Sequence, residues 1–292
     1  MKIKTTASIP ILLTLSFIIL YALTNVFGAL SDKASVYLWA VILQLAAYIA
    51  PVCVFFIVFK KKDLKYLSPG RFKASHIKIL ISSAILITSC GALYMCIMHA
   101  LDIGKATYSV FPKDNVILTV LLLVVLPAFL EELVFRGVVL REYEKYGMLP
   151  AVLFSSLCFA MFHFSFAELP YYLISGIVIS VVTLIMGSLA EAFVLHLLHN
   201  LIMLVGGEYL YNLLYNFGDT EFIIALLLII TLLALFWLLS ILDSYYKKLA
   251  STDRYIDGTK PKQKPSVYAD VFLSPYFLVL VIIFTAVAFD VV

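Results

Sequence analysis

The stretch Glu131-Glu132-Leu133-Val134-Phe135-Arg136-Gly137 follows directly on an apolar run from Val116 to Leu130, so three ionisable side chains enter what otherwise reads as a membrane span. A charged side chain inside a bilayer costs a few kcal/mol or more, so it faces a bundle interior, a partner or a pathway. Glu132 and Arg136 are four residues apart, share a helix face and can neutralise each other. Glu131 points about 100° away around the helix and is left as the carboxylate without a local partner. The plainer alternative is a salt-bridged helix end at the membrane interface.

Composition sets the class. Hydrophobic residues make up 63% of the 292-residue chain and charged residues 13%, against about 25% charged in a typical soluble domain. The chain therefore reads as all-α, a polytopic membrane helical bundle. The four cysteines, Cys53, Cys90, Cys96 and Cys158, all fall in apolar stretches without metal-ligand spacing and read as small buried hydrophobes. No phosphate-cradling glycine loop, internal repeat or nucleic-acid signature is present, so nucleic acid is not an expected partner.

Apolar runs long enough to cross ~30 Å of hydrocarbon at 1.5 Å per residue give eight or nine spans. They run from about Ile9 to Leu30, Tyr37 to Phe59, Ile79 to Leu101, Val116 to Leu140 and Leu149 to Phe166. The rest are Leu169 to Met186, Leu189 to Val205, Phe222 to Leu242 and Val271 to Val287. The first lacks a clear small-x-small cleavage site and reads as a retained anchor rather than a signal peptide. The eighth is the most uniformly apolar and is expected to face lipid.

Loop charge orients these spans, because Lys and Arg are retained on the cytoplasmic side. Nine alternating spans with a cytoplasmic N-terminus put Lys2, Lys4, the basic run from Lys60 to Lys78, Arg141, Lys145 and the group from Lys247 to Lys264 inside. Only Lys33, Lys105 and Lys113 fall outside, and the acidic loop from Gly206 to Glu221 fits an external position. The run from Lys60 to Lys78 mixes basic residues with Leu64, Tyr66, Leu67 and Phe72, as a segment lying on an anionic leaflet does. Ser251 to Ser266, with Gly258, Pro261 and Pro265, reads as a flexible linker. A short chain with so little outside its spans suits a bacterial plasma membrane.

Three of the five histidines, His163, His196 and His199, lie within expected spans close to the glutamate helix in sequence. Phe159 and His163 are four apart on the fifth span, so the aromatic ring can wall one face of the imidazole. His196 and Asn200 are four apart on the seventh and project together. A lone buried histidine is usually a packed core residue. Together, an unpaired glutamate, a histidine and a His/Asn pair supply a base, a group that holds water and two donors for a developing oxyanion. His199 reads as packing.

Glu131-Glu132-x-x-x-Arg136, Phe159-x-x-x-His163 and His196-x-x-x-Asn200 resemble, in order and separation, the three signature motifs of the CAAX-processing and bacteriocin-processing (Abi) membrane proteases. That family includes the type II CAAX prenyl endopeptidases, and Phe135-Arg136-Gly137 strengthens the likeness. It implies a conical catalytic core of membrane helices and glutamate-dependent cleavage of a peptide bond in a membrane-associated peptide or protein substrate, CAAX-like or a precursor. Glu131 and His163 would activate water, and His196 with Asn200 would form the oxyanion hole. Glu132, Arg136 and Phe159 would be structural or substrate-orienting, and no metal or other cofactor is implied. Pro127, one turn before Glu131, is expected to kink the helix and admit water. The resemblance divides the chain into N-terminal helices over 1–114, a catalytic core over 115–206 and C-terminal helices over 207–292.

Other readings keep the same residues. A zinc hydrolase would use Glu131, His163 and His196 as ligands, although no His-Glu-x-x-His motif is present. A thiol protease would need Cys158 beside His163, but five residues apart on a helix they point to different faces. A membrane immunity or scaffolding protein would keep the helices without turnover. The topology is testable by cysteine labelling. Cysteines placed in 60–78 and 243–270 should react only from the cytoplasmic side, and external labelling near Lys262 would overturn the nine-span arrangement.

Overall fold

The computed structural model describes residues 5–30, 36–58, 68–102, 115–217, 219–250 and 266–290. Among them all regular structure is helical. The helices are α1 Thr5–Leu30, α2 over 36–58, α3 Ile77–Ala100, α4 Val116–Tyr146 and α5 Met148–Met161. They continue with α6 Leu169–Met186, α7 Leu189–Phe217, α8 Thr220–Ala250, α9 Ser266–Phe272 and α10 Pro275–Asp290.

The all-helical membrane fold expected from composition is the one observed, with differences in the spans. Five described helical stretches are long and apolar enough to cross a bilayer: Ala74–Ala100, Val116–Tyr146, Leu169–Met186, Leu189–Gly207 and Thr220–Tyr245. The first and second expected spans coincide with α1 and α2, whereas the fifth and ninth correspond to shorter apolar helices, Met148–Met161 and Pro275–Phe289. The fifth expected span ends early. Fourteen residues in α5 reach about 21 Å, after which the chain turns at Phe162 and Phe164 takes a left-handed φ of 55°. The ninth is interrupted at Ser274. Its hydroxyl and carbonyl accept from the Phe277 amide as α10 begins at Pro275, a position where proline's missing N–H costs no helix bond. The loop expected from Gly206 is helical as far as Phe217. The segment 251–265, expected as a linker, and residues 60–67 of the basic run, Leu64, Tyr66 and Leu67 among them, lie outside the described residues.

Core packing joins two flanks to a centre. On one side α1, α2 and α10 pack with α4 and α5 in a cluster containing Phe17, Phe55, Phe135, Phe154 and Phe284. On the other, Ile79, Ile87, Val182, Leu195 and Leu238 join α3, α6, α7 and α8. Much of α8 stays outside this core: Phe222, Leu233 and Phe236 are all more than half exposed, as a lipid-facing helix requires. Two tethers close one end of the bundle. Buried His76 pairs with Glu191 at 2.9 Å, while Pro69 accepts from the Ala190 amide and the Ser188 hydroxyl.

Small residues set the spacing of α5 and α6. Without a hydrophobic force between helices in lipid, close backbone approach is what lets them adhere. Ser156 and Ser180 face each other at 3.4 Å, and a Cβ at Gly176 would lie 3.0 Å from Cβ and 3.1 Å from Cα of Ser156. Gly176→Ala should therefore force the helices apart and lower stability by about 1–3 kcal/mol, read as detergent-phase melting. An unchanged melting temperature would show that the contact is looser than this packing implies.

Candidate active site

Two prolines shape the helices that meet at Glu131. In α4 the segment Leu121–Val125 is π-helical, and the Leu126 amide reaches back five residues to the Leu121 carbonyl. The next bond in that register would run from residue 127 to the Leu122 carbonyl, but Pro127 has no N–H. Gln44 of α2 supplies the donor instead, its amide lying 2.9 Å from the Leu122 oxygen. In α2 the π-turn Leu45–Ile49 precedes Pro51 in the same way. Tyr48 in this turn is buried and places its hydroxyl 3.5 Å from the Glu131 carboxylate. A longer π-helical stretch, Leu133–Leu140, follows the glutamates, and Ser155 donates to the Phe135 carbonyl within it at 2.7 Å.

The two glutamates occupy different surroundings. Glu132 is 1% exposed and accepts from the Arg136 guanidinium at 2.8 Å, the pair expected from their spacing. Arg136, fully buried, also donates to the Gly176 carbonyl at 3.2 Å and lies 4.6 Å over the Phe159 ring. The same Glu132 oxygen lies 2.7 Å from Nδ1 of His196, a partner the sequence did not reveal. His196 then presents Nε2 to Glu131 at 3.8 Å, and Glu131, at 13% exposure, is the more open carboxylate.

His163 comes from the turn after α5 rather than from within a helix. Its amide bonds the Ala160 carbonyl as the last turn closes, and Nδ1 lies 3.0 Å from the Phe159 carbonyl. A carbonyl only accepts, so Nδ1 carries the proton and Nε2 of the neutral ring is an acceptor. The ring stacks on Tyr172 with centroids 3.4 Å apart and meets the edge of Phe159 at 5.0 Å. Phe159 also touches His196, at 5.7 Å, so one aromatic ring lies against both imidazoles and the guanidinium.

Glu131, Phe159, His163, His196 and Asn200 all line one cavity of about 410 Å³. Pro127 lines it too, on the helix that carries Glu131. Tyr171, Tyr172 and Ser175 of α6 form a further wall, with His199 bonded to the Tyr171 hydroxyl. His199 is buried as a packing residue would be, and it also faces this space. The α6 tyrosines carried no pattern in the sequence. A Cβ at Gly91 of α3 would lie 2.9 Å from the Tyr171 ring, a close approach in which Gly91 leaves room for that ring. Among the described residues, no group of three His, Cys, Asp or Glu side chains is arranged to hold a metal ion. Chemically the cavity brings together an accessible carboxylate, an imidazole acceptor, a second imidazole braced by a buried ion pair, and an amide.

The shared oxygen of Glu132 predicts a separation of stability from function. Glu132→Gln leaves Arg136 a buried charge without its counterion and should cost about 3–5 kcal/mol. The double change Glu132→Gln with Arg136→Gln should recover most of that loss in detergent-phase melting. It should not recover activity, because His196 still lacks the carboxylate that orients it. Full activity in the double variant would reduce Glu132 to a counterion for Arg136.

A family model, Type II CAAX prenyl endopeptidase Rce1-like, matches residues 113–202, a span that includes Glu131, Glu132, Arg136, Phe159, His163, His196 and Asn200. No curated protein and no solved structure matches the chain. The matched residues begin just before α4 and end within α7, enclosing the cavity-lining residues of α4 to α6 and the histidines of α7. Over this central part the chain is similar to the Rce1-like type II CAAX prenyl endopeptidases, a family of membrane proteases.

Proposed function

We propose that the chain is a glutamate-dependent intramembrane endopeptidase, cleaving a peptide bond of a membrane-associated substrate that is CAAX-like or a peptide precursor. The observation that carries this reading is the convergence of Glu131, His163, His196 and Asn200, from three separate parts of the chain, on one cavity. Glu131 takes a proton from water while Nε2 of His163 accepts a second hydrogen bond from the same molecule. The resulting hydroxide adds to the scissile carbonyl carbon, and the carbonyl oxygen becomes an oxyanion. Nε2 of His196 and the Asn200 amide donate to it. Glu131 then returns the proton to the leaving amine as the C–N bond breaks.

The braced geometry supports these roles. Both nitrogens of His196 donate only in the imidazolium, and in that form Glu131 and Glu132 stand at its two edges with Arg136 completing a balanced group of four charges. His163, whose Nδ1 is committed to a backbone carbonyl, keeps Nε2 for the water. Tyr48 adds a long contact, 3.5 Å, to the Glu131 oxygen that His196 does not face.

Glu131→Gln keeps the volume and hydrogen-bonding capacity but removes the base. Turnover of a membrane peptide substrate should fall by about 10²–10⁴, the scale of general-base loss, with substrate binding largely kept. A comparison of the membrane peptidome with and without the Glu131→Gln protein identifies the substrate, and near-parent turnover would rule Glu131 out as the base. Activity should also survive strong chelators. Loss on chelation with rescue by zinc would instead assign Glu131 and the histidines to a metal hydrolase.

A further inference from the structure

A second cavity, of about 420 Å³, lies on the other side of α7. Its walls are the stripe Ile77, Ile81 and Ile85 of α3 and the stripe Val194, Leu198 and Ile202 of α7, with Leu227 of α8 also contributing. At 100° per residue, the α7 stripe centres on the face opposite the one carrying His196, Asn200 and Met203 to the first cavity. The groove is therefore separated from the glutamate site by the body of a helix. Five of its residues, Ile77, Ile81, Ile85, Leu198 and Ile202, are between 39% and 45% exposed, so the groove opens sideways onto the bundle's outer surface.

From Ile77 to Ala92, the α3 residues that line it, the groove runs about 22 Å. That exceeds half of the ~30 Å hydrocarbon core, the depth of one leaflet. Its lining is apolar but for the hydroxyls of Thr88 and Ser89, the latter already donating to the Leu86 carbonyl. One end is different in kind. Phe72, which lines it, stands between exposed Arg71 and Lys73, and exposed Lys78 follows Ile77. Among the described residues, the acidic groups at this end are already engaged, Glu191 with His76 and the Lys73 backbone amide, and Asp243 with Lys247.

We infer that this groove is a binding site for one acyl chain of an anionic phospholipid, whose headgroup is held by Arg71, Lys73 and Lys78. The length of the groove matches a chain entering from one leaflet, and the basic end selects the negative headgroup. The inference does not depend on the protease reading, since the groove and the catalytic cavity occupy opposite faces of α7.

The test is native mass spectrometry of the purified full chain in detergent, with phosphatidylglycerol or phosphatidylcholine of the same acyl composition added. Phosphatidylglycerol should be retained well above phosphatidylcholine. Each of Arg71→Gln, Lys73→Gln and Lys78→Gln should weaken its retention about fivefold, the change corresponding to ~1 kcal/mol per basic residue at an anionic surface. Ala84→Phe, filling the floor of the groove, should abolish the preference. Should that variant not fold, Ile202→Trp on the exposed wall tests the same point. Equal retention of the two lipids, or retention indifferent to both the charge and filling variants, would overturn the assignment. Displacement of bound phosphatidylglycerol by a farnesylated peptide would also overturn it, by giving the groove to a substrate lipid.

Discussion

Arg136 is a fully buried guanidinium in a membrane bundle, and its position is tolerable only because several groups answer it. Glu132 supplies the opposite charge at 2.8 Å, the Gly176 carbonyl accepts at 3.2 Å, and the Phe159 face covers the ion. Each of these partners sits on a different element, α4, α6 and α5. A charge that cannot be left alone in hydrocarbon thus fixes three helices relative to one another. His196 of α7 joins the group through the same Glu132 oxygen, so the ion pair that holds the bundle also aims the imidazole.

Backbone irregularity serves the same end. A straight α-helix would leave no use for Gln44 at the Leu122 carbonyl, but Pro127 deletes the donor that this carbonyl would have had in the π register. The unmet acceptor becomes a cross-link to α2, and α2 brings Tyr48 one turn later to Glu131. Polar backbone exposed at membrane depth is costly unless protein satisfies it. Here the satisfaction comes from a side chain on a neighbouring helix, which turns a local defect in α4 into a long-range constraint on the site.

What was legible in the sequence had short-range periodic form. The Glu132–Arg136 pair needed only four-residue spacing, and the apolar, exposed surface of α8 needed only uniform hydropathy. The grouping of Glu131, His163, His196 and Asn200 came from motif order, and their common cavity accords with it. The contacts without a sequence signal join distant residues: Tyr48 to Glu131 across 83 positions, and His196 to Glu132 across 64. No periodicity encodes these. The early end of α5 was hidden for another reason: the apolar run continues through Phe162, Phe164 and Phe166, so hydropathy kept reading helix where the backbone turns. Phe164 takes the left-handed conformation with its ring 4.5 Å from that of Phe17, a contact between α1 and the turn that hydropathy does not encode.

The turn after α5 also gives the two histidines different surroundings. His196 rides a regular helix with a Glu132 oxygen 2.7 Å from Nδ1 and Glu131 3.8 Å from Nε2, so its ring stands between two carboxylates. His163 stands one residue beyond its helix C-cap, held by a backbone carbonyl and by the face of Tyr172, so its ring is set by neutral contacts. A neutral imidazole is an acceptor at its free nitrogen, whereas an imidazole between two carboxylates is suited to donate. The reaction proposed above needs one of each: an acceptor for the attacking water and a donor for the oxyanion.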